Sequence, residues 1–402
     1  MCWELRTAEG IILNDIHYTT PTGIRRTVLK QASVTEIHVH YDDDNTNYYD
    51  VSAHGLGNYL QSMSLSECGG ELRGDGMEWD NILCIATHTD RYAWHNYANY
   101  EPLNSLEIFN ITRIAAYEYI PMWVFHDDGT IDIRIGATGE LQEYRFSSEI
   151  EFDRFNWHLG REESGRQRYG TAHTHNYWYR LDFDIDGVGN DVVEQFDFMP
   201  RINDDGVQHE LTITSLITES ANTISPETFR FWRIKDEALL NADGHNISYR
   251  LEPTIGGVYT NPYEAWTAYD LYVTRFASCE RWIVNNLTTS GCGEEVTDYL
   301  DGESLANQDV VVWYGMTFHH LPRDEDEPYM PIHWEEFHLT PHDWTSENPS
   351  EGSEPTTLTI TSVEGTMSAR VAAEWGQILL LTLSLSFIFN IVLVRRTLHQ
   401  RG

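Results

Sequence analysis

The chemistry this chain can do starts with His173 and His175, an H-x-H pair inside AHTHNYWYRLDFDID. Side chains on a strand alternate with a period of two, so both imidazoles fall on one face, where a single metal ion can bridge them. Imidazole donors suit copper or zinc, and a third must come from elsewhere in a chain that holds 18 His. Asp182, Asp184 and Asp186 follow in the same run with the opposite parity. An unbroken strand turns them to its other face, either as a separate cluster suited to a hard cation such as calcium or as plain solvated surface.

The elements that must carry these residues read as strands. From Asn14 to Asn348, runs rich in β-branched and aromatic residues, such as TIDIRIGATG, ELTITSLITE and DVVVWYGMTF, are separated by Gly, Asn or Asp. This is an antiparallel pattern, with Asp128-Gly129, Asp186-Gly187, Asp205-Gly206 and Asp243-Gly244 as turn points. No internal repeat and no long amphipathic helix interrupts it, and the fold class expected is all-β, a large antiparallel β-sandwich. The composition, 41% hydrophobic and 12% aromatic, supplies an extensive core.

Charge narrows the partners. With 63 Asp+Glu against 26 Lys+Arg, the net charge of -37 repels the phosphates of a nucleic acid. The same field concentrates cationic small molecules such as protonated amines, or simply maintains solubility. The five cysteines show no C-x-x-C spacing. Cys68 with Cys84 and Cys279 with Cys292 are spaced for two short-range disulfides, each of a loop size worth roughly 3 kcal/mol, with Cys2 left over. Free thiols are the alternative reading if the domain is cytosolic.

The chain divides into residues 1–348 as the folded domain, a Ser/Thr/Glu-rich stalk over 349–368, a transmembrane region over 369–394 and a basic tail over 395–402. The uncharged, mostly apolar run Trp375 to Val394 has the length of a bilayer-spanning helix. Arg395, Arg396 and Arg401 beyond it place the C-terminus in the cytosol and the large domain outside. The first residues show no signal peptide, so either the sequence begins inside a longer protein, which we favour, or the helix is a tail anchor. Asn246-Ile247-Ser248 and Asn286-Leu287-Thr288 are glycosylation acceptors compatible with an outside location, whereas Asn110-Ile111-Thr112 reads as buried.

Ordered motifs add a resemblance. They run from NYYD and GLGNYLQSMSL through AYEYIPMWVFHDDGTIDIRIGATG, RYGTAHTHNYWYRLDFDIDG and LITESAN to FRFWRIKDEALLNADGHNISYRLEP, DVVVWYGMTFHHLPRDEDEPYMP and FHLTPHDW. From about Gly10 to Asn348 the chain resembles the copper amine oxidases, which make a topaquinone cofactor from one of their own tyrosines. The resemblance implies a dimeric β-sandwich catalytic domain that oxidises a primary amine with dioxygen, and smaller upstream domains that are missing here. It implies copper on His173, His175 and His320, with His319 not a ligand, and Tyr117 as the quinone precursor. Asp50 matches the general base and Tyr41 a tyrosine hydrogen-bonded to the quinone oxygen. Asp182, Asp184 and Asp309, with the carbonyls of Phe183 and Val310, match a second, calcium-like site, and Cys68 with Cys84 a disulfide of the extracellular members.

Three departures lie close to that chemistry. The residue before Tyr117 is Ala116 where the family has an asparagine that helps orient the quinone, and Arg113-Ile114-Ala115 replaces the usual Thr-Val-Gly. Ala86-Thr87-His88-Thr89 replaces an acidic His-Glu-Glu-Asp stretch. Two readings follow, a working primary-amine oxidase or a copper-binding, catalytically impaired, membrane-anchored relative acting as an interaction module. The retained ligands and base favour the first.

Overall fold

Strand-forming runs pair into two large sheets that face each other. The computed structural model describes residues 1–370 apart from 44–45, 77–78, 90–91, 98, 147–155, 287–290, 351–356 and 363–364, with the backbone alone over 357–370. The first sheet has ten strands and the second eleven. At the centre of the first sheet lie three long antiparallel neighbours, Val310–His320, His173–Phe183 and Arg25–Tyr41. At the centre of the second lie Met330–His342, Ile131–Gly139 and Tyr117–His126. The hairpin between the last two turns at Asp128-Gly129, and Gly129 has φ +92°, where a Cβ would also stand 2.6 Å from the Tyr18 ring.

The inward faces form one core between the sheets. Tyr177, Tyr179, Leu181 and Phe183 alternate into it from the first sheet and meet Tyr119, Trp123, Ile133, Ile135 and Phe337 from the second. The Tyr179 ring packs edge-on against Trp123 at 5.8 Å and against Phe337 at 5.4 Å between centroids. Such edge-to-face contacts fix the sheets against each other beyond simple burial. The residues of opposite parity, Trp178 and Trp313, join a second core under the segment that carries Trp266, Ile283, Val296 and Tyr299. Both faces of the central strand are therefore covered, and every residue from His173 to Phe183 is buried.

Several expectations meet this architecture differently. The antiparallel β-sandwich is as read from the sequence. Both short-range cysteine pairs form, with Cα atoms 5.4 Å apart for Cys68–Cys84 and 5.7 Å apart for Cys279–Cys292, and Cys2 is free. Within the region read as a stalk, strands Thr357–Ser362 and Gly365–Arg370 pair with each other, the former also parallel to Cys2–Arg6. Their Thr- and Ser-rich composition looked like an extended linker, but it is equally compatible with a sheet edge. No helix among the described residues is long and apolar enough to cross a membrane, and the Trp375 to Val394 run lies outside the described residues. The Asn286 acceptor is also corrected: its side chain is fully buried and its amide donates to the carbonyls of Cys279 and Gly293.

Candidate active site

Register brings the metal-binding residue types together. His173 is the direct cross-strand partner of His320 on one side and of Tyr41 on the other, so three distant sequence positions form one row across the first sheet. His175 lies two residues along on the same face. The ring centroids of His173 and His175 are 4.9 Å apart, as are those of His173 and His320. From the facing sheet, Tyr117 at the start of its strand reaches across, and its hydroxyl lies 2.8 Å from His173 Nε2.

Hydrogen bonds set the tautomers. His173 Nδ1 donates to the Thr171 carbonyl at 2.9 Å, which leaves Nε2 as a lone pair. His320 Nε2 donates to Asp326 Oδ2 at 2.9 Å, which leaves Nδ1 as a lone pair 3.4 Å from His173 Nε2. His175 Nδ1 is buried without a hydrogen-bond partner. Burial lowers the pKa of His173 to about 3, that of His175 well below the ordinary range and that of His320 more modestly. Neutral imidazoles with converging lone pairs and one phenol proton among them make a donor set that a soft or borderline cation stabilises. The histidines fit copper in donor type and tautomer, although their ligand atoms do not all lie within 4.8 Å of one another. Among the described residues that spacing is met by Glu219, Asp301 and Glu303 alone, an acidic cluster the sequence reading missed.

The carboxylate comes from a short helical turn, Asp50–His54, packed beside the Arg25–Tyr41 strand. Asp50 is buried, which raises its pKa to about 7, while the hydrogen bond it accepts from Tyr119 at 2.8 Å pulls the other way. Tyr119 stands two residues after Tyr117 on the same face, their rings stacked at 6.2 Å. One strand thus carries both the phenol at the imidazoles and the phenol on the Asp50 carboxylate. The Tyr41 ring stacks on His173 at 4.9 Å and interacts with Tyr117 through its hydroxyl. His319 turns away to Asp42, 2.8 Å distant. A cavity of about 310 Å³ lined by Phe318, Met330 and His333 reaches Tyr117, His175 and His320.

Asp182, Asp184 and Asp309 lie on the opposite face, where they line a cavity of about 400 Å³. Burial, reinforced by the neighbouring carboxylates, raises the pKa of Asp309 to about 7. Buried Oδ1 atoms of Asp182 and Asp184 have no hydrogen-bond partner, and the backbone partners Phe183 and Val310 lie between. Asp186 does not join them, because the strand ends at Phe183 and Asp186 pairs with Arg26 at 2.9 Å. Asp191 joins instead, its pKa raised to about 9 by burial and by Asp184. Its place in the next strand hid it from spacing arguments, as the strand alternation hid Tyr119 and as the exposed-looking RDED run hid Asp326.

The two-sheet β-sandwich thus sets a buried tyrosine against three imidazoles, with a desolvated carboxylate nearby. Residues 1–359 match the family model described as copper amine oxidase, enzyme domain, and the chain belongs to that family. It is 27% identical over 387 residues to the primary amine oxidase of Arthrobacter sp. (strain P1), covering 87% of this chain and 59% of that protein. It is 27% identical over 398 residues to the histamine oxidase of Arthrobacter globiformis, covering 87% and 56%. The solved copper-containing benzylamine oxidase from Hansenula polymorpha shares the fold, with TM-score 0.74 at 21% identity over 88% of this chain and 60% of that one. The chain therefore spans about three-fifths of the length of the relatives it matches.

Proposed function

We propose that this chain is the catalytic domain of a primary-amine oxidase that converts an amine, dioxygen and water into an aldehyde, ammonia and hydrogen peroxide. The observation that carries the reading is the Tyr117 hydroxyl set 2.8 Å from His173 Nε2, with Asp50 held through Tyr119 on the same strand. His173, His175 and His320 would hold copper, which with dioxygen would convert Tyr117 to topaquinone, the carbonyl that accepts the amine and its electrons. Asp50 takes the proton from the carbon next to nitrogen through its carboxylate, and burial suits it to that task. Tyr41, beside Tyr117 and stacked on His173, restrains the ring. Asp326 holds the third imidazole by its Nε2 proton, as carboxylates behind metal-bound histidines do.

Asp182, Asp184, Asp309 and the carbonyls of Phe183 and Val310 would take a calcium-like ion, whose charge would relieve their mutual repulsion. The working unit is a homodimer, a reading supported by the exposed apolar residues of the Asp191–Asn203 and Gly206–Leu216 hairpin. A single-pass location with the domain outside and the C-terminus cytosolic rests on the Trp375 to Val394 run and its arginine flank, and the two disulfides agree with an oxidising compartment.

The test is to load the protein with copper in air and record the visible spectrum before and after phenylhydrazine, then measure peroxide release with methylamine, benzylamine and histamine. A band that shifts establishes the quinone. Bound copper without a band selects the second reading, a copper-binding but impaired relative, which Ala116 and the backbone at Ala115, with φ +52°, favour.

A further inference from the structure

Glu36 is a charged residue type with nowhere to send its charge. It lies in the Arg25–Tyr41 strand at a register shift, where Trp178 opposes Glu36 and Tyr179 opposes Val34, so that Thr35 is the extra residue. The bulge directs Glu36 out of the sandwich core, yet its side chain is fully buried under the Asp50–His54 turn. No described cation pairs with it. Its Oε1 accepts from the amides of Ile37 at 3.0 Å and Val51 at 2.8 Å, and its Oε2 accepts from the amide of Ser52 at 3.2 Å. Two of those donors belong to the two residues directly after Asp50. A turn this short cannot satisfy its own first amides, so a side-chain acceptor decides whether it holds its shape.

We propose that Glu36 is the positioning residue for Asp50: its carboxyl, bonded to the amides of Val51 and Ser52, fixes the turn that aims the base at the Tyr117 side of the core. This rests on the reading of Asp50 as base. Tyr119 orients the Asp50 carboxylate from the opposite sheet, and Glu36 holds the backbone from which that carboxylate extends. The base is thus clamped between the two sheets. Burial raises the pKa of Glu36 to about 8, with the Asp50 charge adding to the rise and the Ser52 and Val51 bonds opposing it.

The experiment compares Glu36→Gln, Glu36→Asp and Asp50→Asn in the full chain. Glutamine keeps the Oε1 contacts but turns an amide donor toward the Ser52 N–H, whereas aspartate keeps the carboxyl group and shortens the reach. Hydrogen exchange before copper loading reads the pin directly. In Glu36→Gln the amides of residues 51–54 should exchange about ten-fold faster while those of Tyr117–His126 stay unchanged. After loading, the quinone band should persist and kcat should fall about 10- to 100-fold with a smaller change in KM. The acid limb of kcat/KM should move toward the ordinary carboxylate range as water reaches Asp50. Unchanged exchange at residues 51–54 would overturn the proposal whether or not the protein is active. Faster exchange with an unmoved pH profile and kcat, while Asp50→Asn abolishes turnover, would also overturn it. Full turnover in Asp50→Asn would instead defeat the base assignment itself.

Discussion

Asp50 ties burial, a hydrogen bond and a rate together at the scale of one residue. Its pKa is raised to about 7 by burial, and the Tyr119 hydroxyl opposes the rise by bonding the ionised form. The proposed role of Asp50 as base requires it to be ionised, so kcat/KM should climb with pH through about 7, and Tyr119→Phe should carry that limb to higher pH without loss of the quinone band. A limb that stays in place in the phenylalanine variant would remove Tyr119 from the account. Ala115 makes a second, independent case. It occupies the turn between the Thr112–Ile114 and Tyr117–His126 strands with φ +52°, where a Cβ is strained. Ala115→Gly should stabilise the fold by about 0.5–1 kcal/mol in denaturant unfolding, since relief of that strain outweighs the extra freedom glycine brings to the unfolded chain. His173 and His175 were legible because strand parity is a local rule. His320 was reached only through the resemblance, because it joins them by register across about 145 residues, which no local pattern encodes.

Element by element, alternation revealed that strands exist and which face of each is apolar, but not what covers the other face. Trp178, Arg180 and Asp182 share the outward parity of the central strand and are nevertheless buried, because the Trp266 to Tyr299 segment folds over them. Glu36 and Asp191 escaped notice for the same reason, since an acidic residue on an outward position reads as solvated. The buried carboxylates have a thermodynamic signature. Asp309 and Asp191 hold protons in the folded state up to about 7 and about 9, against 3.8 ordinarily. The folded state then binds more protons than the unfolded one between those values, so stability falls as pH rises across that window. At the proposed calcium-like site the ion would bind the ionised form, so the rise in Tm on adding calcium should be larger at pH 9 than at pH 6. Equal shifts at the two pH values would mean that the ion binds elsewhere. The Cys68–Cys84 bridge acts at the same scale, joining the Leu65–Cys68 helix to the Leu83–Thr89 strand across a separation of 16 residues. Replacing both with serine should cost about 2–4 kcal/mol in chemical unfolding.

For the whole molecule, the exposed surface is as informative as the core. The hairpin of Asp191–Asn203 with Gly206–Leu216 ends the second sheet, and its outer strand is exposed along almost its whole length. Met199, Ile202, Val207, Leu211 and Ile213 on this hairpin are all exposed large apolar residues. An uncovered edge with apolar side chains is a template for association, and in the proposed homodimer a second copy presenting the same hairpin would close it by two-fold symmetry. Charge opposes this, because each chain brings a net charge of -37. Screening length falls from about 30 Å at 0.01 M salt to about 3 Å at 1 M, so the dimer should strengthen with salt, unlike one held by ion pairs. Sedimentation at low and high ionic strength tests this: the full chain should shift toward twice its mass as salt is added. Ile202→Asp combined with Ile213→Asp should remain at the single-chain mass throughout while keeping the Tyr117-centred site folded. A wild-type chain that stays monomeric at every salt concentration would refute the hairpin as the contact and leave its apolar face to a different partner.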